Sequence, residues 1–252
     1  MDLLEQNENM VRRHPWEVSR HRFFADILKQ SKALESAEDI LDVGSGDAWF
    51  SNQLLPWLKP DSHVTCWDSG YAGHPIFLHT HTDSRHLTFI SEPPARRFNV
   101  ILLLDVLEHI EQETEFLSRI VAQNLYENGT VLLSVPAWPI LFSEHDVQLR
   151  HFRRYRPTQG RRLLKQSGLE IIREGGLFHS LLVPRAFDLL ASSFGRKPLT
   201  GNNLGHWDHG PIVSTTVLGL LRTDNWISKT LSKLRFHLPG LSWWALCRKR
   251  SS

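Results

Sequence analysis

Apolar residues in this chain gather in short unbroken runs, separated by stretches whose apolar positions recur every three or four residues. Residues 39–43, 63–67, 87–90, 99–104 and 129–135 have the length and continuity of buried strands. Residues 15–31 read as an amphipathic helix that opens with Pro15 in the first turn and buries Trp16, Phe23, Phe24, Ile27 and Leu28. Trp49, Phe50, Leu54, Leu55 and Leu58 mark a second helix, and residues 112–125 a third. Continuous apolar strands alternating with helices predict a mostly parallel sheet covered on both faces. Residues 69–86 interrupt the alternation. They hold His74, His79, His81 and His86 with no helical period, at spacings that match no standard metal site, and read as a polar loop.

Beyond Pro136 the pattern changes. Residues 157–166 read as a helix stopped by Gly168, and residues 169–174 as a strand. Residues 177–238 are helical with loops at 195–210, and residues 241–247 make a last strand. The chain therefore reads as one α/β domain. Residues 1–35 form an N-terminal helical segment, 36–176 the core, 177–240 a helical insertion, and 241–252 a final strand with a basic tail.

Composition narrows the class without naming it. Of 252 residues, 41% are hydrophobic and 22% charged, and the net charge is +2, so neither disorder nor a polyanionic partner such as nucleic acid is implied. Arg150, Arg153, Arg154 and Arg156, with Arg161 and Arg162, and later Arg248, Lys249 and Arg250, are basic clusters that read as solvated surface or as contacts for a phosphate. Cys66 and Cys247 are the only cysteines, too few for a disulfide framework or a structural zinc site. No apolar signal core and no apolar run of roughly 20 residues is present, so a cytoplasmic protein is expected, peripheral at the inner membrane face at most.

The chemistry is concentrated in Ile40-Leu41-Asp42-Val43-Gly44-Ser45-Gly46-Asp47-Ala48. A strand emptying into a glycine turn and then a helix makes a crevice at the carboxyl end of a parallel sheet, where open α/β sheets bind ligands. A dinucleotide fingerprint counted from Gly44 requires glycine or alanine at position 49, which is Trp49, and no Walker-type G-K-[ST] follows. Asp68, at the end of the next strand, is placed to accept hydrogen bonds from both ribose hydroxyls of a nucleoside.

The pattern acidic-x-G-x-G-x-G, met by Asp42, Gly44 and Gly46 with Ala48 in the last place, resembles the cofactor motif of class I S-adenosylmethionine-dependent methyltransferases. Asp105-Val106-Leu107-Glu108-His109, after the apolar run Val100–Leu104, is similar to that family's fourth-strand motif. His14-Pro15-Trp16, and the segment from Val135 through His145, Asp146, His151 and Tyr155, resemble one bacterial branch of it. The resemblance covers residues 14–180 and the last strand. It implies a seven-stranded, mostly parallel Rossmann-like sheet completed by an antiparallel C-terminal hairpin, with the insertion lying over the site.

It also implies S-adenosyl-L-methionine as cofactor, held by Asp42, Gly44, Ser45, Gly46, Asp68, Asp105 and Val106, with Ser91 and Glu92 near the adenine. The expected reaction is methyl transfer to a small-molecule or lipid-like acceptor, as O-methylation, with S-adenosylhomocysteine as product. His145 and His109 are candidate catalytic residues, the former as general base or as a structural hydrogen-bonding group. His151, Arg154 and Tyr155 are candidate substrate contacts. No metal is expected: Asp105 is read as a helix cap and His109 as packed beside the cofactor. The alternative is a divalent ion on Asp105, Glu108 and His109, at i, i+3 and i+4. Phe178, Leu181, Leu182, Val183, Phe187, Leu189, Leu190, Trp207, Val217, Leu218, Leu220, Leu221, Trp226 and Ile227 are read as packed cap, or as the lining for a lipid-like substrate touching a membrane surface. Two rival readings stand beside this one: a cofactor-binding subunit without catalysis, and an NAD(P)-binding oxidoreductase.

Overall fold

The computed structural model describes residues 13–73, 86–193 and 210–250. His74, His79, His81 and Trp207 lie outside them, as do the side chains of Leu189 and Leu190. The elements run α1 (Pro15–Gln30), β1 (Asp39–Val43), α2 (Trp49–Leu54), β2 (His63–Trp67), β3 (Leu87–Ile90), β4 (Phe98–Leu104), α3 (Glu113–Asn124), β5 (Leu125–Pro136), α4 (Glu144–Gln148), α5 (Pro157–Gln166), β6 (Leu169–Leu177), α6 (His179–Ser193), α7 (Pro211–Lys233) and β7 (Ser242–Lys249).

The strands form one sheet in the order β3-β2-β1-β4-β5-β7-β6. Pairing is parallel from β3 to β5, and β7 runs antiparallel between β5 and β6. The order reverses at β1, whose neighbours are β2 and β4, so the carboxyl ends of β1 and β4 open a crevice at the switch point.

Successive side chains in a strand point to opposite faces, which divides the core in two. Ile40, Leu102, Leu132 and Trp244 pack with Phe23, Phe24, Ile27 and Leu28 of α1. Their neighbours Leu41, Leu103, Leu133 and Trp243 pack with Leu117, Ile120 and Val121 of α3 and Leu163 and Leu164 of α5. Both faces are buried, which is why these strands read as unbroken apolar runs rather than alternating ones.

One strand boundary is corrected. β5 starts at Leu125 rather than Gly129, the chain passing from α3 into the strand with a register shift opposite Phe98 and Val100. The strand's polar start, Tyr126-Glu127-Asn128, hid it. The described helices of the insertion pack on different parts of the domain. α7 lies beside α1, where the buried Asn225 amide donates to Ser19 O at 2.8 Å and Lys229 meets Asp26 at 2.5 Å. The Arg173 guanidinium of β6 donates to Lys229 O at 2.6 Å, joining α7 to the sheet edge. α6 reaches toward the segment after β5, where Arg185 donates to the Ser143 hydroxyl at 2.5 Å. Among the described residues, no helix is long and apolar enough to cross a membrane.

Candidate active site

The turn after β1 is built on left-handed backbone. Gly44, Gly46 and Ala48 have φ of 62°, 53° and 53°. The two glycines adopt this conformation without strain, whereas Ala48 pays of order 1 kcal/mol for it. Gly44 is also required by space: a Cβ there would lie 2.9 Å from Cγ2 of Val106. Val106, one of the expected cofactor contacts, therefore packs directly against the turn and joins the end of β4 to it.

Hydrogen bonds hold the turn in shape. Gly44 N donates to Trp67 O at 2.7 Å, and Gly46 N to Asp68 Oδ2 at 2.9 Å. Asp68 Oδ1 accepts from Gly70 N at 2.8 Å. Each carboxylate oxygen of Asp68 keeps a second lone pair, so this half-buried group can still receive hydroxyl donors. Underneath, the Tyr71 hydroxyl donates to Gly46 O at 2.6 Å and sits 2.8 Å from Ser45 Oγ.

The side chains of three expected cofactor contacts have partners within the protein. The Ser45 side chain turns inward to Tyr71. Asp42 is buried and accepts from Ser51 Oγ at 2.6 Å, tying β1 to α2; burial raises its pKa to about 6. Asp105 has φ of 58° and caps no helix. Its Oδ1 accepts from Ser134 Oγ at 2.7 Å, and its Oδ2 is ion-paired with Arg20. A non-glycine residue held in the left-handed region at the tip of a strand marks a position fixed by its surroundings.

The sequence reading missed how α1 bears on the turn. Arg13 is ion-paired with Asp47 and with Glu17, and stacks over the Trp49 ring at 4.6 Å. His21 packs against Trp49 and Phe50, with ring centroids at 4.5 and 5.0 Å. Burial, and then the Arg20 charge, hold this imidazole well below its ordinary pKa, so it packs as a neutral aromatic. Arg20 stacks on Trp16 at 4.9 Å and reaches Asp105. Polar residues at i, i+3 and i+4 of the helix that carries Trp16 were the available signal.

On the other side of the crevice, a short 3-10 turn, Leu107–His109, follows β4. Glu108 is fully buried, and neither carboxylate oxygen has a hydrogen-bond partner; burial raises its pKa to about 8. The His109 and His151 rings meet edge to face at 4.7 Å. One ligand atom from each of Glu108, His109 and His151 lies within 4.8 Å of the other two. The alternative trio with Asp105 is thus not what the fold assembles: Arg20 and Ser134 draw Asp105 away, and His151 comes in.

The segment after β5 is organised around Asp146. Its Oδ1 accepts from Arg154 Nε at 2.7 Å and lies 3.0 Å from His151 Nδ1, and its Oδ2 accepts from Ser143 N at 2.9 Å. Burial alone would raise its pKa, but the hydrogen bonds from His151 and Arg154 outweigh that and hold the carboxyl well below the usual range. Arg154 and Tyr155, expected to touch substrate, are buried and bonded within the protein. Arg154 is spent on Asp146, and the Tyr155 hydroxyl donates to Leu107 O at 3.1 Å. Arg153 is engaged by Glu113 and by Glu111 O. His145 sits exposed on α4; loss of solvent on its inner side and then the Arg185 charge lower its pKa. The fold gathers His109 and His151, not His145, with the buried carboxyl.

A family model described as a methyltransferase domain matches residues 16–174. No curated protein matches the chain by sequence. Among solved structures, a putative sarcosine dimethylglycine methyltransferase from Galdieria sulphuraria has a TM-score of 0.58 at 14% identity, with 92% of this chain and 86% of that one covered. The N-methyltransferase NodS from Bradyrhizobium japonicum, in complex with S-adenosyl-L-homocysteine, has a TM-score of 0.57 at 13% identity, covering 98% and 95%. An O-methyltransferase family protein from Burkholderia thailandensis has a TM-score of 0.50 at 14% identity over 60% of this chain, which spans about half of that protein's length (52%).

Proposed function

The chain belongs to the S-adenosylmethionine-dependent methyltransferases, and from that premise we propose that it methylates a hydroxyl oxygen on a small, apolar or lipid-like acceptor. One observation carries the cofactor half of this reading: the left-handed turn at Gly44–Gly46 with Asp68 hydrogen-bonded across it at the switch point of the sheet. In this reading Asp68 and the turn at Gly44–Gly46, with Val106 packed against it, would hold S-adenosylmethionine.

The reaction needs little from the protein beyond placement. Bound there, S-adenosylmethionine would supply an electrophilic methyl to the acceptor oxygen, with the electron pair of the broken S–CH3 bond leaving on sulfur as S-adenosylhomocysteine. Holding both reactants in one crevice supplies much of the rate. The candidate receivers of the acceptor proton are the imidazoles on the segments after β4 and β5, and His145 is the one outside the cluster of Glu108, His109 and His151. The exposed side chains of Ile140, Val147, Phe152, Val183 and Phe187 support an apolar acceptor, because they gather on segments following β5 and on α6, which meets that region through Ser143. An apolar acceptor fits a protein acting in the cytoplasm, against the inner face of a membrane.

Calorimetric titration with S-adenosylhomocysteine tests the reading. Binding at one site per chain is expected, with Asp68→Asn weakening it about 10–100-fold, the worth of a charge-assisted hydrogen bond. A chain that binds neither S-adenosylmethionine nor its product would refute it. Binding without methyl transfer to any phenolic or lipid-linked acceptor would favour a subunit that holds cofactor but does not turn over.

A further inference from the structure

We propose that Glu108, His109 and His151 form a binding site for one divalent first-row transition ion beside the glycine turn. The first ground is an unmet need. Glu108 is fully buried with both oxygens unpartnered, and a carboxyl removed from water without hydrogen bonds is costly unless a cation sits on it. The second is the donor set. Three ligand atoms, one from each side chain, lie within 4.8 Å of one another, and a small side-chain adjustment brings them to the roughly 3–4 Å spacing of ligands sharing one ion.

The third ground is the way His151 is held. Asp146 is a carboxylate and can only accept, so the 3.0 Å contact with His151 places the imidazole proton on Nδ1. In the neutral ring Nε2 is then the nitrogen with the free lone pair, the form that ligates. A carboxylate behind a histidine is the arrangement that fixes metal-binding imidazoles in orientation and tautomer. Arg154, also on Asp146, keeps that carboxylate in place, and the Phe152 N–H donates to Glu108 O at 2.7 Å, so the loop carrying His151 is fastened to the turn carrying Glu108.

Two imidazoles and one carboxylate suit Zn2+, Co2+ or Mn2+, whereas Mg2+ and Ca2+ prefer all-oxygen shells. Three protein ligands leave coordination positions open. The site is joined to the cofactor turn through Val106, whose carbonyl accepts from His109 N at 3.0 Å and whose side chain packs on Gly44. An acceptor oxygen bound to the ion would lose its proton more readily and be held for attack. That role rests on the methyltransferase reading; the site itself does not.

The test is titration of tag-free, chelator-treated protein with Co2+, followed by its visible absorption band, with Zn2+ as competitor. A band that saturates at one equivalent and is abolished by Zn2+ is expected. His151→Gln and Glu108→Gln are each expected to weaken Co2+ binding at least tenfold, with S-adenosylhomocysteine affinity on the same samples within about twofold of the parent, which also shows that the variants are folded. No saturable band, or an affinity unchanged in His151→Gln, overturns the metal site. If S-adenosylhomocysteine also fails to bind the parent protein, the cofactor reading falls separately.

Discussion

At the scale of single residues, burial decides what a polar group can do here. Arg154 and Tyr155 were candidates for substrate contact by their types and their place after β5, yet both are buried and committed to Asp146 and Leu107 O. Sequence shows that a residue can form a hydrogen bond but not with what. Asp42 makes the same point through its titration. Its ordinary pKa of 3.8 rises to about 6 in the fold, chiefly because it is desolvated. Between pH about 4 and about 6 the unfolded chain releases this proton while the folded chain keeps it, so this group makes stability fall as pH rises through that window. Asp42→Asn retains an acceptor for the Ser51 hydroxyl and removes the proton. Urea denaturation from pH 4 to 7 is expected to show the variant gaining on the parent up to about pH 6, by a final difference on the order of 2–3 kcal/mol, and then running parallel. Parallel curves across the whole range would show that Asp42 does not titrate in the fold.

At the scale of elements, most boundaries were legible because each strand is buried on both faces and each helix has one apolar side. β1, β2 and β3 begin and end where the apolar runs do, and α5 spans the stretch between Arg156 and Ser167 with Pro157 in its first turn. What periodicity could not show is how closely elements approach. Gly160 of α5 sits against the ring of Trp243, and a Cβ there would come within 2.2 Å of it. Gly160→Ala would ordinarily favour a helix, but here the methyl has no room. We expect a net loss of about 1–3 kcal/mol, read as a melting temperature several degrees lower. Trp243→Leu in the same background should recover part of that loss. A Gly160→Ala protein at least as stable as the parent would mean that α5 can move away from β7 freely.

At the scale of the whole molecule, α7 bears on the site through α1. Its Asn225 amide holds Ser19 of α1, whose Arg20 meets Asp105 and whose His21 packs on Trp49 of α2, while Arg13, just before α1, meets Asp47 after the glycine turn. Asn225→Ala leaves Ser19 O without this buried donor, at a cost of about 1–3 kcal/mol. Because the effect passes through α1, S-adenosylhomocysteine affinity should fall with it, by several-fold at 25 °C, although the substitution lies on the insertion. Unchanged affinity in a destabilised variant would show that α1 and the turn are not coupled.

The order of apolar runs, the glycine turn and the Asp105–His109 motif were enough to determine the strand sequence, the crevice and the family, since these depend on local pattern and on neighbours within a few residues. The partners of the polar groups were decided only by tertiary structure. Asp105 goes to Arg20 from 85 residues away, and His151 comes to Glu108 from the far side of β5. The physical reason is that a strand or helix follows from side-chain periodicity along the chain. The fate of a buried charge depends on which donors the completed sheet brings within about 3 Å, and that distance exists only after folding.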